Sequence, residues 1–193
     1  MGAPAVPLID IVSYQVRQEY TGTNLDSELV EAEVSAHIRL MNAISENQNI
    51  AQALQQFRVS AKAILSATNS GSTETSKIDD LAKSKAQQYE VVYALPSLTS
   101  YLYHDTAHDY EKLSIPVLGL FGGKDLQVTI AQNKDIMERA LLKSKTSYHF
   151  EIFTDANHYF QKAKTGQRQE YATLDKRFVD GFVEKIANWI LDN

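Results

Sequence analysis

The sequence predicts an α/β fold: a partial parallel sheet with helices on its faces, preceded by a long helical stretch. Three observations carry that reading. Residues 115–121 form a short unbroken apolar run ending in Gly122-Gly123, and residues 148–153 form a second strand-like segment rich in aromatics. A helical pattern lies between these two segments and another follows them. The first half of the chain repeats its apolar residues at three- and four-residue steps and offers no strand.

In chain order, Pro7 suits the first position of a helix and precedes an apolar patch of Leu8, Ile9, Ile11 and Val12. Asn24-Leu25-Asp26-Ser27-Glu28 reads as a helix start. The helix it opens carries Leu29, Val30, Val34, Ile38, Met41 and Ile44 on one side. The next run has Ile50, Ala53, Leu54, Phe57, Ala61, Ile64 and Leu65. Thr68-Asn69-Ser70-Gly71-Ser72-Thr73 then breaks the pattern as a polar loop. Ile78, Leu81, Ala82 and Lys85 restart it, and it continues through Tyr89 and Val92 before Pro96.

In the second half, Ile115-Pro116-Val117-Leu118-Gly119-Leu120-Phe121 reads as a strand buried on both faces. Residues 129–142 read as an amphipathic helix with Ile130, Ile136, Met137, Ala140 and Leu141 on its apolar side. Residues 148–153 alternate as a second strand. The chain closes with a helix whose apolar side is Phe178, Phe182, Val183, Ile186, Trp189 and Ile190. Strand, helix, strand, helix feeds a parallel sheet. Two strands are too few for such a sheet, which is stable when wide and covered on both faces. Either further strands hide in the first half, or the chain is part of a larger fold.

Composition excludes several function classes. Of 193 residues, 44% are hydrophobic and 22% charged, ordinary for a soluble globular chain. The net charge of −5 with no basic block argues against a nucleic-acid or anionic-membrane partner. The absence of cysteine removes disulfides, thiolate metal sites and a cysteine nucleophile together. No apolar stretch approaches the roughly 18 residues that cross a bilayer. Residues 1–7 have no basic n-region and two prolines, so no signal peptide is expected and the expected location is the cytoplasm.

Two segments could carry chemistry. Gly122-Gly123-Lys124-Asp125-Leu126-Gln127-Val128 puts an acid just past the carboxyl end of a strand, where open α/β sheets hold functional groups. Asp155-Ala156-Asn157-His158-Tyr159-Phe160 puts a histidine past the end of the next strand. Adjacent parallel strands would bring Asp125 and His158 to one edge. Taken alone, Asp125 reads more simply as a turn residue after Gly-Gly.

Together these residues make the sequence resemble the C-terminal part of an α/β-hydrolase, in the esterase and serine-aminopeptidase-like branch. Thr165-Gly166 with Glu170-Tyr171, Tyr103-His104-Asp105, and the opening Gly2-Ala3-Pro4-Ala5-Val6-Pro7 extend the likeness. It is specific from Ile115 to Tyr171 and weak between Asp10 and Pro96, where the family carries a variable helical cap. The resemblance implies a lead-in segment after a core strand (residues 1–14), a helical cap (15–96) and a C-terminal core portion (97–193). It also implies that Asp125 is the acid and His158 the base of a Ser–His–Asp triad, with no cofactor and no metal. The departure is as informative. No Gly-x-Ser-x-Gly elbow occurs in the chain, so neither the nucleophile nor its oxyanion hole is expected within it.

The expectation is therefore the C-terminal portion of a serine hydrolase of small carboxylic esters or related acyl compounds. It would supply the Asp and His but be inactive alone, with the serine coming from a missing N-terminal half. The alternative is a truncated, non-catalytic hydrolase that binds or self-assembles through an exposed sheet edge. Other features have plainer readings. His104 and His108 imitate a metal site without a third ligand, and His37 and His149 read as structural or surface residues. Tyr89, Tyr93, Tyr101 and Tyr103 fit an acyl pocket or the core equally. Ser70-Gly71-Ser72 lacks the glycines of an elbow.

Overall fold

The computed structural model describes residues 4–68 and 75–193. The opening residues 1–3 and most of the polar breaker, including Ser70-Gly71-Ser72, lie outside the described residues. The chain falls into two units: Pro7–His104, and a second made of residues up to Val6 with Asp105–Asn193.

Among the described residues, every regular element of the first unit is a helix. Its helices are α1 (Leu8–Glu19), α2 (Ser27–Ser45), α3 (Ile50–Thr68), α4 (Thr75–Tyr93) and the single turn α5 (Pro96–Thr99). Two helix starts differ by a residue or two from the expectation. Pro7 is the cap of α1 rather than its first residue, with an extended ψ of 148°. Asp26, not Asn24, caps α2, its carboxylate accepting the Glu28 N–H at 2.8 Å. The unit takes in α1 as well as residues 15–96, because Ile9 and Leu102 are buried in one core and the Ile9 N–H donates to the Leu102 carbonyl.

That core is packed by apolar stripes at helical spacing. Leu40, Phe57, Ala61 and Ala82 are fully buried, and the alanines let α2, α3 and α4 approach closely. A polar network lies among them, with Glu33 and His37 fully buried and Lys85 part-buried. His37 lies edge-on to Phe57 and Tyr89 at centroid distances of 4.7 and 4.6 Å, and its Nδ1 is hydrogen-bonded to the Tyr93 hydroxyl. Glu33, one turn earlier, pairs with Lys85 at 2.7 Å. Burial pushes the Glu33 carboxyl up, but hydrogen bonds from His37 and Lys85 and the Lys85 charge outweigh it and hold it at about 2.

The second unit contains α6 (Thr106–Tyr110), β1 (Val117–Gly122), α7 (Ile130–Ser144), β2 (Tyr148–Phe153), a 3-10 turn at Arg168–Glu170 and α8 (Phe182–Asp192). β1 and β2 pair in parallel, from Val117 opposite Tyr148 to Gly122 opposite Phe153. They form the whole of the two-stranded sheet among the described residues. α7 is the crossover. Thr129 caps it, Lys145 ends it in the left-handed region, and Met137 and Leu141 pack with Ala5 and Phe121. Ala5 is held further by its N–H, which donates to the buried Asn133 Oδ1 at 2.7 Å.

Two expectations about this unit are corrected. β1 is not buried on both faces: Val117–Leu120 are half-buried, and Ile115 is 63% exposed. Phe178 lies outside the last helix, which begins after Gly181 takes a φ of 79°. α8 itself has no fully buried residue, and Ile190 and Leu191 are 68% and 82% exposed. The apolar face read from the sequence exists, but among the described residues little covers it. No helix among the described residues is long and apolar enough to cross a membrane.

Candidate active site

The acid and the histidine sit on two loops that leave the carboxyl ends of neighbouring parallel strands. Their backbones meet directly. The Gly123 N–H donates to the Phe153 carbonyl at 2.9 Å, and the Lys124 N–H to that of Ala156 at 2.8 Å. This close approach needs the glycine pair after β1. A Cβ on Gly122 would fall 2.6 Å from the Ala156 carbonyl oxygen, and one on Gly123 would overlap the Thr154 backbone.

Asp125 is then oriented by its own loop. Its Oδ1 accepts the Gln127 and Val128 N–H groups at 2.8 and 2.9 Å, an Asx-type turn. That leaves Oδ2 for His158, whose Nδ1 lies 3.0 Å away. The two side chains are only 11% and 19% exposed, so the pair is shielded from competing water. A carboxylate only accepts, so Nδ1 is the donor in this bond, and in the neutral ring the lone pair then lies on Nε2.

The histidine loop is built around Asn157, which is fully buried. Its Oδ1 accepts the N–H groups of Tyr159 (2.9 Å) and Gln161 (3.0 Å), and its own N–H donates to the Gln161 carbonyl. Phe160 is held in the left-handed region at φ 56°, which tightens the turn. In the sequence motif Asn157 stands beside His158 without a role of its own, and Gln161 lies outside the motifs. No sequence pattern marks them, because the work of Asn157 is to accept backbone N–H groups of its own turn.

A third segment reaches both loops. The Glu170 carboxylate accepts the Gly166 N–H at 2.6 Å and the Thr165 N–H at 3.2 Å. Burial pushes this carboxyl up, but those backbone donors outweigh it and hold it below the usual range. Tyr171 follows, its hydroxyl accepting from Gln127 at 3.4 Å and its ring 5.5 Å from that of Tyr159.

The pair opens onto a cavity of about 580 Å³ that runs along β1 to Tyr110, Phe178 and Phe182. All of Val117–Phe121 line it. Successive strand residues point to opposite faces, so a wall made of five in a row is an edge, not a face.

The other expected residues lie elsewhere or do other work. Tyr89 and Tyr93 belong to the helical core, while Tyr101 and Tyr103 are 55% and 60% exposed. His37 is buried in the helical core, and His149 is exposed beside Glu151 at 3.3 Å. His104 packs on the Tyr101 ring, and His108 lies 3.5 Å from Glu111. Asp105 caps α6 by accepting the His108 N–H. No group of three or more histidine or carboxylate side chains among the described residues could hold a metal ion. Ser13 is buried and donates to the Ile9 carbonyl within α1.

The model of the dienelactone hydrolase family matches residues 81–182, more than half of the chain and all of the acid and histidine loops. No curated protein and no solved structure matches it. The parallel strands, the crossover helix and this match agree with the α/β-hydrolase resemblance of the sequence: the chain belongs to the dienelactone hydrolase family, within the α/β-hydrolase superfamily.

Proposed function

We propose that this chain supplies the acid and the base of a hydrolase acting on small carboxylic esters, lactones included, and that the nucleophile comes from outside it. The family match supports hydrolysis as the reaction class. The reading is carried by one observation: His158 Nδ1 lies 3.0 Å from Asp125 Oδ2 while the other carboxylate oxygen is held by two backbone N–H groups. In this arrangement Asp125 fixes the imidazole tautomer and stabilises the imidazolium that forms in the reaction. His158 Nε2 takes the proton of a serine hydroxyl as it attacks the ester carbonyl, then returns it to the leaving alkoxide. An acyl-enzyme results, and water activated by the same imidazole hydrolyses it.

The serine and the oxyanion-hole donors would come from an N-terminal half, on the same polypeptide or on a separate chain. Two observations support this: the sequence has no Gly-x-Ser-x-Gly, and His158 makes no hydrogen bond to a serine among the described residues. The chain alone is expected neither to turn over activated short-chain esters nor to label with a fluorophosphonate. Restoring an N-terminal half that carries the elbow should give both. Labelling of the chain alone would place the nucleophile within it and overturn the division of labour.

A second reading, a non-catalytic module that binds or self-associates, is favoured by the open edge of β1 and the uncovered side of α8. It predicts oligomers by light scattering whether or not Asp125 and His158 are intact. Under the first reading, substituting either residue lowers turnover in the restored enzyme by several orders of magnitude.

A further inference from the structure

We infer that Glu170 is a positioning residue for the Asp125–His158 pair, acting through the turn at residues 165–170 as a strap across the acid loop. The inference rests on the reading of that pair as acid and base. Its mechanical chain has three links. Glu170 gathers the Thr165 and Gly166 N–H groups onto one carboxylate, which fixes the turn. Gly166, buried and held at φ 79°, then lies so close to the Lys124 carbonyl that a Cβ there would overlap it. Lys124 is the residue before Asp125, and its own N–H is already tied to the Ala156 carbonyl of the histidine loop.

The peptide leading into Asp125 is thus gripped from two sides, by the histidine loop and by the strap. The acid loop cannot swing away from His158 without breaking a backbone hydrogen bond or displacing the Gly166 turn. Tyr171, adjacent to Glu170, extends the grip by touching Gln127 of the acid loop and Tyr159 of the histidine loop. Glu170 itself touches neither Asp125 nor His158. Its part is therefore in where the acid sits, not in the proton transfer.

Proton NMR of the full 193-residue chain reads this directly, because the His158 Hδ1 shared with Asp125 is protected from exchange only while the two loops stay docked. In the unsubstituted chain a downfield Hδ1 signal is expected that disappears in His158→Ala and in Asp125→Asn. Glu170→Ala should speed its exchange about tenfold or more, and Gly166→Ala should do the same from the other end of the strap. Glu170→Gln, which keeps an acceptor for one backbone N–H, should recover much of the protection. Near-UV circular dichroism on the same samples separates a local effect from loss of the fold.

An Hδ1 signal lost in Asp125→Asn but unchanged in Glu170→Ala and Gly166→Ala would overturn the strap and leave the pair standing. Absence of any such signal in the unsubstituted chain would overturn the pair itself. Loss of near-UV structure together with the signal in both strap variants, without rescue by Glu170→Gln, would make Glu170 merely structural and would also overturn the inference.

Discussion

The two units solve the burial problem in opposite ways. In Pro7–His104 the apolar stripes of α2, α3 and α4 close on one another, and they bury Glu33 and His37 completely, with part-buried Lys85 paired to Glu33. In the unit that carries Asp125 and His158, precision lies in the loops. Backbone hydrogen bonds and glycine contacts fix the acid and the histidine, while among the described residues β1 keeps an open edge and the apolar side of α8 is little covered. Stability in the first unit is a matter of packing. In the second, the order rests on backbone hydrogen bonds between loops.

The largest expected effect separates these two kinds of order. In the enzyme completed by its nucleophile, Asp125→Asn and His158→Ala should each lower kcat by about four orders of magnitude. Thermal unfolding of the same variants should move by a few degrees at most. Steady-state kinetics beside differential scanning calorimetry would check this. Near-normal rates would remove these residues from the mechanism.

Phe57→Ala should act in reverse. It deletes a fully buried ring from the helical core, and should cost about 3–5 kcal/mol by urea denaturation. The Hδ1 signal of His158 should be unaffected. A small loss would mean that the helical core is looser than its burial indicates.

Acid should find the helical unit next. The Glu33 carboxyl is held at about 2 against an ordinary 4.5. Because its folded value is depressed, its contribution is full above the unfolded pKa and is lost as pH falls from about 4.5 towards 2. Unfolding midpoints measured through that window should fall more steeply for the unsubstituted chain than for Glu33→Gln, which has no carboxyl to protonate. Equal slopes would contradict the pairing with Lys85.

The smallest effect belongs to α8. Leu191→Gln, at a position 82% exposed, should change stability by no more than about 0.5 kcal/mol. A larger loss would show that this side is covered after all, and the contrast between the units would narrow.

Sequence alone made the long helices α1 to α4, α7 and the strand pair legible, because their apolar spacing is a local signal, whereas the short α5 and α6 and the start of α8 were not. β2 falls at residues 148–153 as its alternation predicts, and Gly122-Gly123 marks the end of β1. The proximity of Asp125 and His158 followed from strand adjacency. Less was legible where geometry depends on contacts between distant segments. The reason for each glycine lies in a carbonyl on another loop, and the work of Asn157 and Glu170 lies in backbone donors that have no sequence code. Burial of β1 was overestimated for a related reason: an apolar run records what the strand can bury, not what covers it.

The central claim is that the Asp125 carboxylate holds His158 with its proton on Nδ1 and its lone pair on Nε2. Long-range proton–nitrogen correlation NMR on the histidine-labelled chain at neutral pH reads the tautomer of that ring. The account predicts Nδ1–H for His158, giving way to a mixture of tautomers in Asp125→Asn. A ring protonated on Nε2 with Asp125 intact would contradict it.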